Sequence, residues 1–201
     1  MRIVAGEFRG RVLNAPAGRN TRPTTDRVRE GLFSSLCSRM DLRGCNVLDA
    51  FAGSGALGLE ALSRGASHVT FCERDARAFF VLKDNVESLG VQERCELIRT
   101  NVLTCAPAYS TSYSLDLIFL DPPYAMSPIE VGKFLKTLEG SETLPNNTLS
   151  KGAFAVYEHD KCADVQILAD TLGETWQEIT TKTYGKTGVT FLRFLSELDE
   201  Q

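Results

Sequence analysis

A chain of 201 residues can bury one substantial core, and a composition of 43% hydrophobic and 24% charged residues argues against both a disordered polymer and a membrane-embedded one. No apolar run approaches the ~20 residues of a spanning helix, and Met1–Glu7 lacks the long apolar stretch of a signal peptide, so a cytoplasmic protein with no membrane partner is expected. The net charge of −4 conceals an asymmetry: residues 1–43 hold nine arginines (Arg2, Arg9, Arg11, Arg19, Arg22, Arg27, Arg29, Arg39 and Arg43) and no lysine, against four acids. That segment is +5 and the remainder −9. Arginine suits bidentate phosphate contacts, so an arginine-rich arm on an acidic body points to nucleic acid at one end.

In chain order, Arg2–Gly6 and Gly10–Leu13 read as two short strands of a hairpin, followed by a polar stretch. Pro23-Thr24-Thr25-Asp26 offers a helix start, and Val28, Leu32, Phe33, Leu36 and Met40 recur at helical spacing. Strands are then predicted at Asn46–Ala50, His68–Glu73, Cys95–Arg99, Leu115–Leu120 and Ala153–Glu158. Helices are predicted through Leu62, over Asp75–Leu89, Pro128–Leu138 and Asp164–Leu172. Two closing runs, Glu174–Tyr184 and Gly188–Leu195, form a hairpin about Gly185-Lys186-Thr187. Alternation of strand and helix with short loops means α/β architecture, a mostly parallel sheet covered on both faces. The expected organisation is an N-terminal hairpin-and-helix extension over residues 1–43 and a Rossmann-like domain over 44–201. The six cysteines (Cys37, Cys45, Cys72, Cys95, Cys105 and Cys162) show no C-x-x-C spacing, and there are only two histidines, His68 and His159. The cysteines read mostly as buried free thiols, with no metal site expected.

Two segments carry chemistry. Gly53-Ser54-Gly55-Ala56-Leu57-Gly58 fits G-x-G-x-x-G between a strand and a helix, with Glu73 about 20 residues on at the end of the next strand. Glycines let the backbone approach a ligand, the helix N-terminus favours an anion, and the acid accepts hydrogen bonds from ribose hydroxyls. The pattern alone admits a nicotinamide dinucleotide or S-adenosylmethionine. Asp49, just before the loop, would repel pyrophosphate and attract an ammonium group, which favours the second. The other segment is Asp121-Pro122-Pro123-Tyr124, directly after the apolar run Leu115–Leu120. Two prolines force the chain out of the sheet. They leave a stiff loop with a carboxylate and an aromatic ring at a strand's C-terminal end, the edge where α/β sheets bind ligands.

Asp121–Tyr124 resembles the D-P-P-Y motif of methyltransferases acting on exocyclic amines, and Leu48–Gly55 looks like their motif I. Arg2–Gly6, Arg9-Gly10-Arg11, Thr21–Phe33 and Tyr184–Thr187 resemble the signatures of bacterial 16S ribosomal RNA guanine-N2 methyltransferases. The resemblance implies a class I methyltransferase fold with a seven-stranded sheet and terminal hairpin, S-adenosylmethionine as cofactor, and methylation of guanine-966 in 16S rRNA within a partly assembled subunit. It implies Asp121, Pro122, Pro123 and Tyr124 as catalytic residues. The cofactor would be bound by Asp49, Phe51, Ala52, Gly53, Ser54, Gly55, Glu73, Arg74, Asn101 and Val102; Asn101 stands where the family more often has Asp. RNA would be bound by Arg9, Arg11, Arg22, Thr24, Arg27 and Arg29, and a monomer is expected. Gly31 departs from the family's commoner Ala. The competing expectations are an amino-methyltransferase acting on adenine N6 of DNA or another RNA, a non-catalytic cofactor- or RNA-binding module, and a dehydrogenase. A sequence-specific DNA enzyme would normally carry a target-recognition domain, for which this chain has no spare length.

Overall fold

A computed structural model describes residues 1–16, 26–104, 113–139 and 148–195. Arg19, Arg22, Thr24, the Pro23–Thr25 helix start and Cys105 lie outside the described residues. The chain forms two compact units, Met1–Val102 and Leu103–Gln201.

In the first unit, α1 (Asp26–Cys37) is followed by β1 (Asn46–Asp49), α2 (Ala56–Ser63), β2 (His68–Cys72), α3 (Ala76–Leu89) and β3 (Cys95–Ile98). Strands β1, β2 and β3 are parallel neighbours, with Asp49 opposite Phe71 and Phe71 opposite Leu97. Helix α2 is buried almost all round, as a helix between a sheet and a further layer must be. Gly58 sets its distance from the sheet: a Cβ there would lie 2.3 Å from the Phe71 ring. Asp75 caps α3 by accepting from the Arg77 and Ala78 N–H groups, and Gly90, at φ 71°, closes it.

The N-terminal hairpin is present and short: Arg2 bridges Val12, and the Ile3, Gly10 and Leu13 N–H groups donate to the Arg11, Ile3 and Met1 carbonyls, each at 2.9 Å. Beyond Ile3 the backbone donors go elsewhere. Val4 and Ala5 donate to the two carboxylate oxygens of Glu60 at 2.7 and 3.1 Å, and Phe8 donates to Ser63 Oγ at 2.9 Å. Both partners sit on α2, so the hairpin's turn is tied to that helix. Glu60 is fully buried and also accepts from Arg64 Nε at 2.8 Å, so its charge is matched.

In the second unit, β4 (Leu115–Leu120), α4 (Pro128–Leu138), β5 (Leu149–Asp160), α5 (Val165–Leu172), β6 (Trp176–Tyr184) and β7 (Thr187–Phe194) follow. Strands β4 and β5 are parallel; β5–β7 and β6–β7 are antiparallel. The sheet is seven-stranded in the order β3-β2-β1-β4-β5-β7-β6, a mostly parallel sheet with a terminal antiparallel hairpin. Helix α4 starts at a capping box, Ser127 with Glu130, and has Pro128 at its first position. Strand β5 begins earlier than the sequence suggests, through an irregularity. Its partners jump from Leu115–Leu149 to Leu117–Phe154, and Gly152 within the jump has φ 73°. Among the described residues, no helix is long and apolar enough to cross a membrane. The five described cysteines are free thiols, but Cys37 and Cys162 are exposed; only Cys45 and Cys72 are fully buried as expected, with Cys95 partly so.

Candidate active site

The first unit gathers its candidate ligand-binding residues at the C-terminal ends of β1, β2 and β3. Gly53 and Gly55 take φ of 54° and 82°, which lets the chain turn sharply from β1 into α2. A Cβ on Gly53 would meet nothing within 4 Å, so the backbone there faces open space. Glu73 holds the loop. Its Oε2 accepts from the Gly53 N–H at 2.8 Å and its Oε1 from the Asp75 N–H at 2.7 Å. Thr100 N–H donates to the Glu73 carbonyl at 3.1 Å, which brings Asn101 beside that strand end. Val102 is buried, Phe51 and Asn101 are partly exposed, and Arg74 is exposed.

Asp49 is almost wholly buried, with Oδ2 accepting from the Gly58 N–H at 3.0 Å. Burial pushes its carboxyl up to about 7, against the Gly58 hydrogen bond and with help from the Glu73 charge. It is therefore poised to ionise when a cation arrives. A positive-φ glycine turn with open space over it, a carboxylate on each flanking strand end and a polar residue after β3 fit a ligand carrying an ammonium group and a ribose.

In the second unit, β4 delivers Asp121 to its C-terminal end, partly exposed. Pro122 is buried, and the Pro123 carbonyl accepts from the Met126 N–H at 2.8 Å, closing a turn around Tyr124. Tyr124 is 44% exposed, with its hydroxyl 3.4 Å from Thr187 Oγ1. This loop forms one wall of a cavity of about 380 Å³. The opposite wall is the end of β5, Tyr157–Asp160, with the start of α5 beyond. Those β5 residues were missed by the sequence reading, although their place at a strand's C-terminal end was a signal. Burial raises the Tyr157 hydroxyl to about 12 and lowers His159, so both are neutral near pH 7. With a neutral ring, His159 Nδ1–H donates to the Asp160 carbonyl at 2.8 Å and Nε2 accepts from the Thr190 hydroxyl at 2.9 Å.

The predicted RNA contacts separate. Arg9 and Arg27 are exposed, with no side-chain hydrogen bond or ion pair among the described residues, and Arg11 is exposed with one guanidinium donor on the Ser88 carbonyl. Arg29 stands apart: it is fully buried, donating to the Arg2 carbonyl, to Asp26 Oδ1 and to Met1 Sδ. Its guanidinium organises the chain's start and does not face solvent. Its position on the helix face of Leu32, Phe33 and Leu36 was the available signal.

The model of the family described as Conserved hypothetical protein 95 matches residues 1–193. The chain belongs to this family. It is 39% identical over 193 residues to a candidate rRNA methyltransferase of Bacillus subtilis, YlbH, covering 94% of this chain and 96% of that one. It is 36% identical over 186 residues to Ribosomal RNA small subunit methyltransferase D of Haemophilus influenzae, covering 92% and 89%. A solved structure of a candidate methyltransferase from Escherichia coli superposes with a TM-score of 0.76 at 29% identity, covering 98% and 99%. By family and by fold this family member is a class I methyltransferase.

Proposed function

We propose that this chain transfers a methyl group from S-adenosylmethionine to the exocyclic 2-amino group of a guanine in 16S rRNA, guanine-966 by the family resemblance. The observation that carries the reading is the Asp121–Tyr124 loop at the end of β4, stiff, half-exposed and opening on a cavity. The relatives named as small-subunit rRNA methyltransferases supply the substrate class.

Asp49 would hold the ammonium group and Glu73 the ribose hydroxyls, Asp49 keeping its one backbone hydrogen bond and Glu73 its two, because a carboxylate oxygen has two lone pairs. The Asn101 side-chain carbonyl and the Val102 N–H would take the adenine edge, with Phe51, Ala52, Gly53, Ser54, Gly55 and Arg74 around them. When bound, the cofactor supplies a methyl group already electrophilic on sulfonium. What the protein must do is prepare the nucleophile. A guanine amine is weak because its lone pair is delocalised into the ring. The Asp121 carboxylate and the Pro122 carbonyl would accept its hydrogens, favour pyramidalisation and stabilise the positive charge that develops. Tyr124 would stack on the base and fix its plane. Arg9, Arg11 and Arg27, with Arg22 and Thr24, would contact the RNA backbone. The substrate would be a partly assembled subunit and the enzyme a monomer.

The test is tritiated methyl transfer to naked 16S rRNA, unmodified small subunits and unmethylated DNA, followed by nucleoside digestion. Label in N2-methylguanosine from subunits is expected. Label in N6-methyladenosine would overturn the substrate while keeping the donor.

A further inference from the structure

Asn85 sits on the buried face of α3 with Ala78, Leu82, Val86 and Leu89. A primary amide there costs free energy unless it is hydrogen-bonded, and this one makes three bonds. Its Oδ1 accepts from the Asn14 N–H at 2.8 Å, and its Nδ2 donates to the Asn14 carbonyl at 3.0 Å and to the Ser54 carbonyl at 2.9 Å. Two carbonyl partners fix which side of the amide carries the hydrogens. Ser54 lies between Gly53 and Gly55 in the glycine loop, and Asn14 belongs to the N-terminal arm that carries Arg9 and Arg11. One buried side chain thus joins the two. Met1 adds a second link from the arm, with its Sδ 3.7 Å from Ser54 Oγ and 3.2 Å from the buried Arg29 Nη1. A third, from Arg11 to the Ser88 carbonyl, ties the arm to α3 one turn beyond Asn85.

Resting on the function proposed above, we infer that Asn85 is a positioning residue that couples the cofactor loop to the RNA-binding arm. RNA that orders the arm holds Asn14, and through Asn85 it holds the Ser54 carbonyl in the geometry the cofactor needs. Such coupling is reciprocal: each ligand tightens the other by the same factor.

The test is the affinity of the full chain for S-adenosylhomocysteine, which occupies the cofactor site without reacting, with and without saturating unmodified small subunits. The wild type should bind it about five-fold or more tightly when subunits are present. Asn85→Leu should still bind both ligands but lose the enhancement to within about two-fold. Hydrogen exchange on the wild type covers the case in which that variant does not fold: S-adenosylhomocysteine should slow exchange at the Asn14 amide. An unchanged enhancement in Asn85→Leu, no enhancement in the wild type, or protection of residues 53–58 with none at Asn14 would overturn the inference. A wild type that binds neither S-adenosylhomocysteine nor subunits would instead overturn the functional reading beneath it.

Discussion

The two ends of the chemistry are built differently. In the first unit, the candidate cofactor residues are also structural: Asp49 is buried on the Gly58 N–H, Glu73 joins Gly53 to Asp75, and the Ser54 carbonyl is held by Asn85. In the second, the Asp121–Tyr124 loop owes its shape to two prolines, one turn and the cap of α4, and Tyr124 stands half in solvent. Prolines stiffen the second loop through the chain itself, whereas the first loop is fastened by the same side chains that are proposed to hold the ligand. Substitutions should therefore entangle activity with stability more in the first unit than in the second.

Asp121→Ala tests the second half of that contrast and should have the largest effect. Turnover should fall by about 10²–10³-fold or more, the scale of a lost electrostatic contact in the transition state. The cofactor dissociation constant should stay within about two-fold, because the role assigned to Asp121 lies in the transition state. Near-normal turnover would remove Asp121 from the mechanism. Glu73→Ala should show the opposite signature, with cofactor affinity and melting temperature falling together because the Gly53 and Asp75 N–H groups lose their acceptor. Weaker binding at unchanged stability would mean that the loop holds itself.

Asp49 gives a pH-dependent version of the same entanglement. Its folded pKa of about 7 lies above the ordinary 3.8, so the folded chain binds the extra proton between those values. Its contribution to stability therefore declines as pH rises from about 4 to about 7 and is level above. Cofactor binding runs the other way, since the ammonium group needs the ionised form: affinity should rise about five-fold between pH 6 and pH 7. Asp49→Asn should flatten that profile, weaken binding and raise the melting temperature at pH 8. A profile unchanged in the variant would detach Asp49 from the cofactor.

The smallest effects concern the arginines. Arg27→Glu should flatten the salt dependence of RNA binding by about two charges' worth of slope, with stability little changed. Arg29→Met should instead lower the melting temperature, and any loss of RNA affinity should follow only from disorder in the arm. Equal effects from both would mean that burial of Arg29 does not distinguish it.

Those two arginines also mark how far the sequence could be read. Strand ends were legible because a buried strand is a run of apolar residues with an abrupt stop, as at Leu120-Asp121-Pro122. Helix α4 was legible because Pro128 can only begin a helix. Arg29 was half legible: its place on the apolar face of α1 marks it as buried, but its carbonyl and thioether partners, from Arg2 and Met1, are ones no periodicity reveals. The early start of β5 was hidden behind Ser150-Lys151-Gly152, which reads as a turn yet lies within the strand's span. The N-terminal hairpin was legible, but not that Glu60, over 50 residues away in sequence, takes the Val4 and Ala5 backbone donors.

That last separation bears on synthesis. Val4, Ala5 and Phe8 leave the ribosome before Glu60 and Ser63 have been made, and the loop closed by those contacts spans 55 or 56 residues. The segment that carries Arg9 and Arg11 therefore spends that part of translation undocked and cationic, beside the very class of polymer it is proposed to bind. Its docking belongs among the late, high-contact-order steps of folding.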